Sequence, residues 1–263
     1  MVECSIMIAL STVLSILKIV EMPYGGSVTV ASALPIIISV YRHGLGWGAG
    51  CAIVNGAIQL LLGLNTLSYF TTWQSVVAII LLDYIVAFGV FALSGIFSKI
   101  EKRQNYAMIY GALLVSILRY VCHVISGCTV WAGLSIPTEA ALIYSLSYNA
   151  TYMLPETIVL VAVCAYVTSV IDFRANTPTR VKNMALDKSE LYCIFGIGLS
   201  LVAMLVLDVA LLAPYLQDPE SGEFVFSRLS EANYTLIGVI SGIGILIALS
   251  LLVFMKIRKA KKH

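Results

Sequence analysis

The chain has 263 residues, of which 60% are hydrophobic and only 11% charged, with a net charge of +2 and a mean hydropathy of +0.95. An ordinary soluble domain is about 45–50% apolar and about 25% charged. A chain of this size cannot bury so much apolar surface away from water. The composition therefore excludes a soluble enzyme, a nucleic-acid-binding module and a disordered regulator, and it predicts a polytopic, all-α membrane protein.

Eight apolar segments approach or exceed the roughly 20 residues that a helix needs to cross a bilayer. In chain order they cover residues 4–20, 28–41, 46–64, 75–98, 107–131, 140–171, 191–216 and 234–255. The second segment is short and contains Pro35, and the sixth is long enough to bend near Pro155. The pattern predicts eight transmembrane helices.

The distribution of basic residues orients these helices. Thirteen of the sixteen lysines and arginines fall in alternate loops and in the C-terminal tail. The opposite loops hold only Lys18 and Arg228 among the basic residues, and several acids. Because cytoplasmic loops are rich in lysine and arginine, we expect a multi-pass protein of the cell membrane with both termini in the cytoplasm.

A polar, charged stretch divides the chain after the sixth segment. We predict a six-helix domain over residues 1–173, a cytoplasmic polar linker over 174–190, and two further transmembrane helices with a basic tail over 191–263. No internal repeat is visible, which weakens a secondary-transporter interpretation.

The fourth, fifth and sixth apolar segments contain two acids, an arginine and a histidine: Asp83, Glu156, Arg119 and His123. A charge inside a bilayer costs a few kcal/mol or more, so such groups usually face a cavity and a partner. One interpretation is structural, because an Asp–Arg pair would neutralise both charges and lock two helices together. The other interpretation is a binding site.

The spacing in the fifth segment favours the binding site. Arg119, His123, Gly127 and Trp131 recur every four residues and therefore share one face of a helix. A glycine beside a tryptophan leaves room for a flat ligand to lie against the backbone. A face used only for packing would consist of leucine or small residues.

The sixth segment has an aromatic face of its own. Tyr144, Tyr148 and Tyr152 recur every four residues, and Ser145 and Asn149 form a polar face beside them. The predicted topology places these groups and Asp83 in the outer leaflet. A carboxylate among aromatic rings suits a flat organic cation. We therefore expect an outward-facing site for a small cationic heterocycle.

The sequence contains no motif that would let this chain hydrolyse ATP to drive uptake. No phosphate-binding loop occurs, so uptake against a gradient requires an ATPase on another chain or an ion gradient. In the first segment Ser5 and Ala9 form a small-x-x-x-small pair of the kind that lets two helices approach closely, either within this chain or with a partner.

These motifs together resemble a known family. They are the stretch 119–127 with Trp131, the Asp83-Tyr84 pair, Tyr144 with Asn149, Tyr24-Gly25, and Arg42-His43-Gly44. The sequence over about residues 3–173 is similar to the thiamine-specific S-component of energy-coupling factor (ECF) transporters, the ThiT family. The resemblance implies a six-helix core that captures thiamine from outside, performs no chemistry, and needs neither a cofactor nor a metal.

The resemblance also implies partners: a transmembrane coupling subunit and two ABC-type ATPase subunits. It assigns Ser5 and Ala9 to the contact with the coupling subunit. In the ligand site it places Asp83 opposite the thiazolium charge, with His123 and Trp131 on the rings and Gly127 clearing space. It places Tyr84, Tyr144 and Asn149 around the pyrimidine. The last residue of the predicted set is Arg119, which stands where the family can have lysine.

This sequence departs from the family in four respects, of which one is that Ser5 replaces an alanine of the family's contact motif in the first helix. Asp83 stands where the family can have glutamate, and a tryptophan of the first outer loop is replaced near Gly26, so Trp73 could substitute for it. The last two helices lie outside the resemblance.

Alternatives remain open at this point. The same core could capture another vitamin or a thiamine precursor. Asp83 and His123 could serve an intramembrane enzyme as acid and base, although no second carboxylate or metal-ligand spacing accompanies them. Asp83 or Glu156 could instead carry protons in a secondary transporter.

Overall fold

The computed structural model describes residues 1–22, 25–132, 141–181, 188–212, 215 and 227–260. The chain forms two compact units, Met1–Asn183 and Met184–His263. The helices of the first unit are α1 (Val2–Ile16), α2 (Leu34–Leu62), α3 (Trp73–Lys99), α4 (Gln104–Thr129) and α5 (Ala141–Val170). The second unit contains α6 (Lys188–Leu212) and α7 (Tyr234–Ala260).

The expectation of an all-helical membrane protein is confirmed. Within the described residues, α2, α3, α4, α5 and the Tyr234–Met255 part of α7 are long and apolar enough to cross a membrane. Two apolar helical stretches, Val2–Ile16 and Tyr192–Leu205, are shorter.

Helix α2 reverses direction at Gly44, which explains how the second and third predicted segments fit one helical range. Gly44 has φ +77° and ψ −176°, a conformation that glycine adopts more readily than other residues. A Cβ on Gly48 would lie 2.9 Å from the Cα of Val40. Residues eight apart in a straight helix are about 12 Å apart. The two halves of α2 therefore fold back against one another.

The predicted first helix is too long at its C-terminal end. Helix α1 ends at Ile16, and Lys18–Glu21 forms strand β1, which pairs antiparallel with β2 (Ser27–Thr29). The β-branched residues Ile19 and Val20 favour a strand. Gly25 and Gly26, with φ +103° and +87°, belong to the turn that joins the two strands.

A second strand pair follows α5. Strand β3 (Ile171–Asp172) pairs with β4 (Thr179–Arg180), so the start of the predicted polar linker is a short hairpin. Arg42 holds this hairpin to the helices, because its guanidinium pairs with Glu3 and donates to the carbonyl oxygens of Phe173 at 2.6 Å and Asn176 at 2.9 Å.

The core of the first unit lies between α2, α3, α4 and α5. Its fully buried side chains include Ile36, Ile37, Val40, Phe91, Met108 and Val115. Helices α3 and α4 approach closely, since a Cβ on Gly111 would overlap the carbonyl oxygen of Ser94. Beyond this core the helices diverge around a cavity.

The second unit is a helical pair. Gly244 of α7 packs against α6, where a Cβ would lie 2.7 Å from the Cβ of Met204. Ser241 donates a hydrogen bond to Asp208 at 2.6 Å. Asp208 thus has a hydroxyl partner on the neighbouring helix, as a carboxyl inside an apolar helix requires.

Candidate functional site

A cavity of about 880 Å³ lies within the first unit, between the β1–β2 hairpin and helices α1 to α5. This volume falls in the range of small-molecule sites, about 300–1,000 Å³. All of the predicted ligand-binding residues line it, namely Asp83, Tyr84, Arg119, His123, Gly127, Trp131, Tyr144 and Asn149. The structure therefore brings together residues that are up to 66 positions apart in the sequence.

Asp83 is held by three donors. Its Oδ1 atom lies 2.8 Å from Nδ1 of His123, and its Oδ2 atom accepts from the Ser126 hydroxyl at 2.7 Å and from Nε1 of Trp131 at 3.3 Å. Since a carboxylate only accepts, Nδ1 of His123 carries the hydrogen. Within the described residues, Asp83 makes no ion pair with lysine or arginine.

The backbone around Asp83 is irregular in a way that aims its side chain. Residues Ile80–Val86 form a π-helical turn inside α3, and such turns are frequent at functional sites. Two glycines leave room for Tyr84, Gly56 in α2 and Gly63 directly after it. A Cβ on Gly56 would lie 2.8 Å from the Tyr84 carbonyl oxygen, and one on Gly63 would lie 2.5 Å from the Tyr84 hydroxyl.

Arg119 pairs with Glu156 and not with Asp83. Its Nη1 atom lies 3.2 Å from Oε2 of Glu156, and the guanidinium lies 4.9 Å from the ring centre of Phe88. The other oxygen of Glu156 accepts from the Thr29 hydroxyl at 3.0 Å. The Asp–Arg pair of the structural interpretation is therefore wrong. Because Arg119 pairs with Glu156, Asp83 has no lysine or arginine partner among the described residues, and it lines the cavity.

Residues 1–173 match the family model of the thiamine transporter protein family, Thia_YuaJ. The chain belongs to this family. The thiamine transporter ThiT of Bacillus subtilis (strain 168) is 33% identical over 170 residues, which cover 60% of this chain and 84% of that protein. The resemblance seen in the sequence is confirmed. Membership in a transporter family also excludes the intramembrane-enzyme alternative.

The fold agrees with the family assignment. A solved structure of ThiT from Listeria monocytogenes superposes with a TM-score of 0.51 at 21% identity, covering 64% of this chain and 91% of that one. The shared fold thus accounts for nearly all of the ThiT chain, whereas this member of the thiamine transporter family continues into α6 and α7.

Aromatic rings form one wall of the cavity. Trp131 makes an edge contact with Phe70, at 4.8 Å between ring centres, and lies 6.1 Å from Tyr69. Tyr144 and Tyr148 are stacked at 6.2 Å, and the Tyr148 hydroxyl donates to the Gly25 carbonyl oxygen at 2.7 Å. The hairpin turn is therefore tied to the tyrosine face of α5.

Asn149 makes several hydrogen bonds within the protein, in addition to the place at the ligand that the resemblance implies. Its Nδ2 atom donates to the carbonyl oxygens of Ser145 at 2.9 Å and His123 at 3.3 Å, and its Oδ1 atom accepts from the Tyr152 hydroxyl at 2.6 Å. The residue is only 5% exposed. The amide therefore joins α4 to α5 as well as lining the cavity.

The suggestion that Trp73 replaces the family's first-loop tryptophan finds no support. Trp73 is 71% exposed and does not line the described cavity. Tyr69, which the sequence analysis missed, lies beside Trp131 and lines the cavity instead. It sits in a short 3₁₀ helix, Leu64–Tyr69, where no helical or strand periodicity marks it. Tyr24 lies outside the described residues.

Ser5 and Ala9 lie on the opposite side of α1 from the core. Both are exposed, as are Ile6 and Val13 on neighbouring positions of the same helix. The buried side of α1 carries Ser11, whose hydroxyl donates to the Ser32 carbonyl oxygen at 2.7 Å. Helix α1 therefore presents small side chains away from its own unit.

Proposed function

We propose that this chain is the thiamine-binding S-component of an ECF-type uptake transporter, and that the cavity holds thiamine. The observation that carries the proposal is the Asp83 carboxylate, which lines a cavity with aromatic walls. Among the described residues, this carboxylate makes no ion pair with lysine or arginine. Thiamine combines a permanently cationic thiazolium ring with an aminopyrimidine ring. A fixed carboxylate and aromatic faces suit such a flat cation.

The geometry of the cavity supports the following residue roles in this proposal. Asp83 faces the thiazolium charge, and Trp131 supplies an aromatic surface beside it. With Nδ1 hydrogen bonded to Asp83, Nε2 of His123 is buried without a partner among the described residues and can accept a hydrogen bond from an amino group. Gly127 leaves the space between His123 and Trp131 open. Tyr84, Tyr144, Asn149 and Arg119 bound the rest of the ligand.

Equilibrium binding to the detergent-purified protein tests the proposal directly. Titration calorimetry with thiamine should show one site per chain with a Kd well below micromolar. Competition with the separate pyrimidine and thiazole fragments distinguishes thiamine from a precursor, because the intact molecule should bind far more tightly than either half. A protein with a cooperative melting transition that binds no thiamine at micromolar concentration contradicts the proposal.

The energy for uptake must come from other chains in this proposal. The sequence lacks a phosphate-binding loop. We propose a transmembrane coupling subunit that carries two ABC-type ATPase subunits, with the Ser5 and Ala9 face of α1 as the contact, in the cell membrane with both termini in the cytoplasm. Thiamine uptake into liposomes that contain this chain alone, driven by a pH gradient, would contradict the need for partners.

Enlarging Ala9 should separate capture from uptake. We expect Ala9→Phe to reduce thiamine uptake by cells at least tenfold, because a large ring on a small-residue face prevents close helix approach. Thiamine binding to the purified variant should change less than twofold. Ile117→Phe, at a 60% exposed position of α4, is the matched control and should leave both measurements unchanged. Normal uptake by the Ala9 variant would remove α1 from the proposed contact.

Removing the indole of Trp131 should weaken but not abolish binding. We expect Trp131→Ala to cost about 1–2 kcal/mol of binding free energy, roughly 5- to 30-fold in Kd, through the lost cation–π or stacking contact. Trp73→Ala removes an exposed tryptophan from outside the cavity and should leave the Kd unchanged. Equal effects of the two substitutions would show that the ligand does not contact the Trp131 ring.

The proposal also assigns a role to each part of the chain. Residues 1–173 form the binding core, 174–190 the linker, and 191–263 two membrane-anchoring helices with a basic cytoplasmic tail. The family match, which ends at residue 173, supports this division.

A further inference from the structure

Ser126 contacts the ligand-facing carboxylate, although the sequence analysis gave this residue of the 119–127 stretch no role. The residue is 0% exposed, and its hydroxyl donates to Oδ2 of Asp83 at 2.7 Å. We propose that Ser126 is a positioning residue that fixes the Asp83 carboxylate and thereby sets the preference for a cationic over a neutral ligand. This inference rests on the proposed function.

The hydroxyl of Ser126 does not make the hydrogen bond that serine and threonine usually make within a helix. Such side chains commonly donate to the carbonyl oxygen of the preceding turn. Thr129 and Ser147 do so here, to Ile125 at 2.6 Å and Ile143 at 2.8 Å. Ser126 instead donates from α4 across to α3. Its one proton therefore serves the carboxylate and not its own helix.

The backbone of Ser126 also places the indole that shares this carboxylate. Its carbonyl oxygen accepts from the N–H groups of Val130 at 2.8 Å and Trp131 at 3.3 Å, at the end of α4. Nε1 of the Trp131 ring in turn donates a hydrogen bond to Oδ2 of Asp83. Ser126, Trp131 and Asp83 thus form a closed triangle of hydrogen bonds. One residue fixes both the charged and the aromatic surface of the cavity.

The hydroxyl supplies the shorter of the two bonds to Oδ2. A hydrogen bond from a hydroxyl to a carboxylate is charge-assisted and about twice as strong as a neutral one. Without it, Oδ2 keeps the longer 3.3 Å contact from Trp131 among the described residues, while Nδ1 of His123 still holds Oδ1 at 2.8 Å. The carboxylate is then fixed less firmly, and its charge is held less closely opposite the cation. A neutral ligand of the same shape gains nothing from that charge, so its affinity should not depend on Ser126.

The test compares two ligands on the full-length, detergent-purified chain. The probes are thiamine and its neutral isostere, in which a carbon atom replaces the charged nitrogen of the thiazolium ring. We expect Ser126→Ala to raise the Kd of thiamine about tenfold, in line with a lost hydrogen bond to a charged group. The Kd of the isostere should change less than twofold. Ser39→Ala, which removes an equally buried hydroxyl bonded to its own helix at Pro35, is the matched control.

The outcomes separate a positioning role from a structural one. Equal weakening of both ligands, or no change in either, overturns the inference. Adding Ser126→Ala to Asp83→Asn should produce no further loss of thiamine affinity, and an additive loss also overturns it. Ser126→Thr retains the hydroxyl and should restore the preference for thiamine. If Ser126→Ala lacks a melting transition, Ser126→Cys, a weak donor of similar size, gives the same ratio. Failure of the unsubstituted protein to bind thiamine contradicts the proposed function instead.

Discussion

Asp83→Asn is expected to raise the Kd of thiamine by roughly 30-fold or more, while the chain still folds. Loss of one charge from a buried, hydrogen-bonded pair costs about 2–5 kcal/mol of binding free energy. The carboxylate has no lysine or arginine partner among the described residues, so it is the group available to a ligand cation. Asparagine is nearly isosteric: its oxygen can accept from Ser126 and Trp131, and its amide can donate to Nδ1 of His123 in the other tautomer, so the melting temperature should change little.

A second acid of the same cavity provides the control for Asp83. Glu21 also lines the cavity but pairs with Lys18 at 2.5 Å and is exposed to solvent. We expect Glu21→Gln to change the Kd less than threefold, because an exposed ion pair contributes about 0–1 kcal/mol. Titration calorimetry on both variants makes the comparison. Similar Kd values for Asp83→Asn and the unsubstituted protein would show that the ligand lies elsewhere.

The binding face of α4 is the part of the site that helical periodicity could predict. Arg119, His123, Gly127 and Trp131 line one cavity because residues four apart share a helix face. Asp83 could be assigned to the same cavity because a carboxylate in an apolar segment requires a partner. These are local arguments, and they need no knowledge of how the helices pack.

The pairing of the charges depends on packing and was not predictable. Arg119 could neutralise either Asp83 or Glu156, and the choice depends on the relative rotation of α3, α4 and α5. The same limit hid Ser126, since a serine in a helix usually bonds within its own helix. The β1–β2 hairpin was missed because Ile19 and Val20 continue an apolar segment, and apolar character alone does not distinguish a helix from a strand.

Removing the charge of Arg119 is expected to destabilise the fold more than any substitution of an uncharged cavity residue. The Arg119 and Glu156 side chains are 17% and 9% exposed, so the ion pair is largely buried. Breaking a buried pair by removing one partner costs about 3–5 kcal/mol, because the other charge stays buried and uncompensated. In Arg119→Met, the Thr29 hydroxyl is the one hydrogen-bond partner that Glu156 keeps among the described residues. The melting temperature in detergent should therefore fall by about 6–20 °C.

A double substitution distinguishes the ion pair from the packing of the arginine stem. Arg119→Met with Glu156→Gln removes both charges, and the amide oxygen of the introduced glutamine can still accept from Thr29, so most of the lost melting temperature should return. If the double variant melts as low as Arg119→Met alone, contacts of the guanidinium with Phe88 and not the charge of Glu156 account for the loss. A single variant that melts within about 2 °C of the unsubstituted protein would mean that Glu156 is not a buried charge. Because Glu156 pairs with Arg119, Asp83 has no lysine or arginine partner among the described residues, so the stability of this pair and the charge selectivity of the site have the same physical origin.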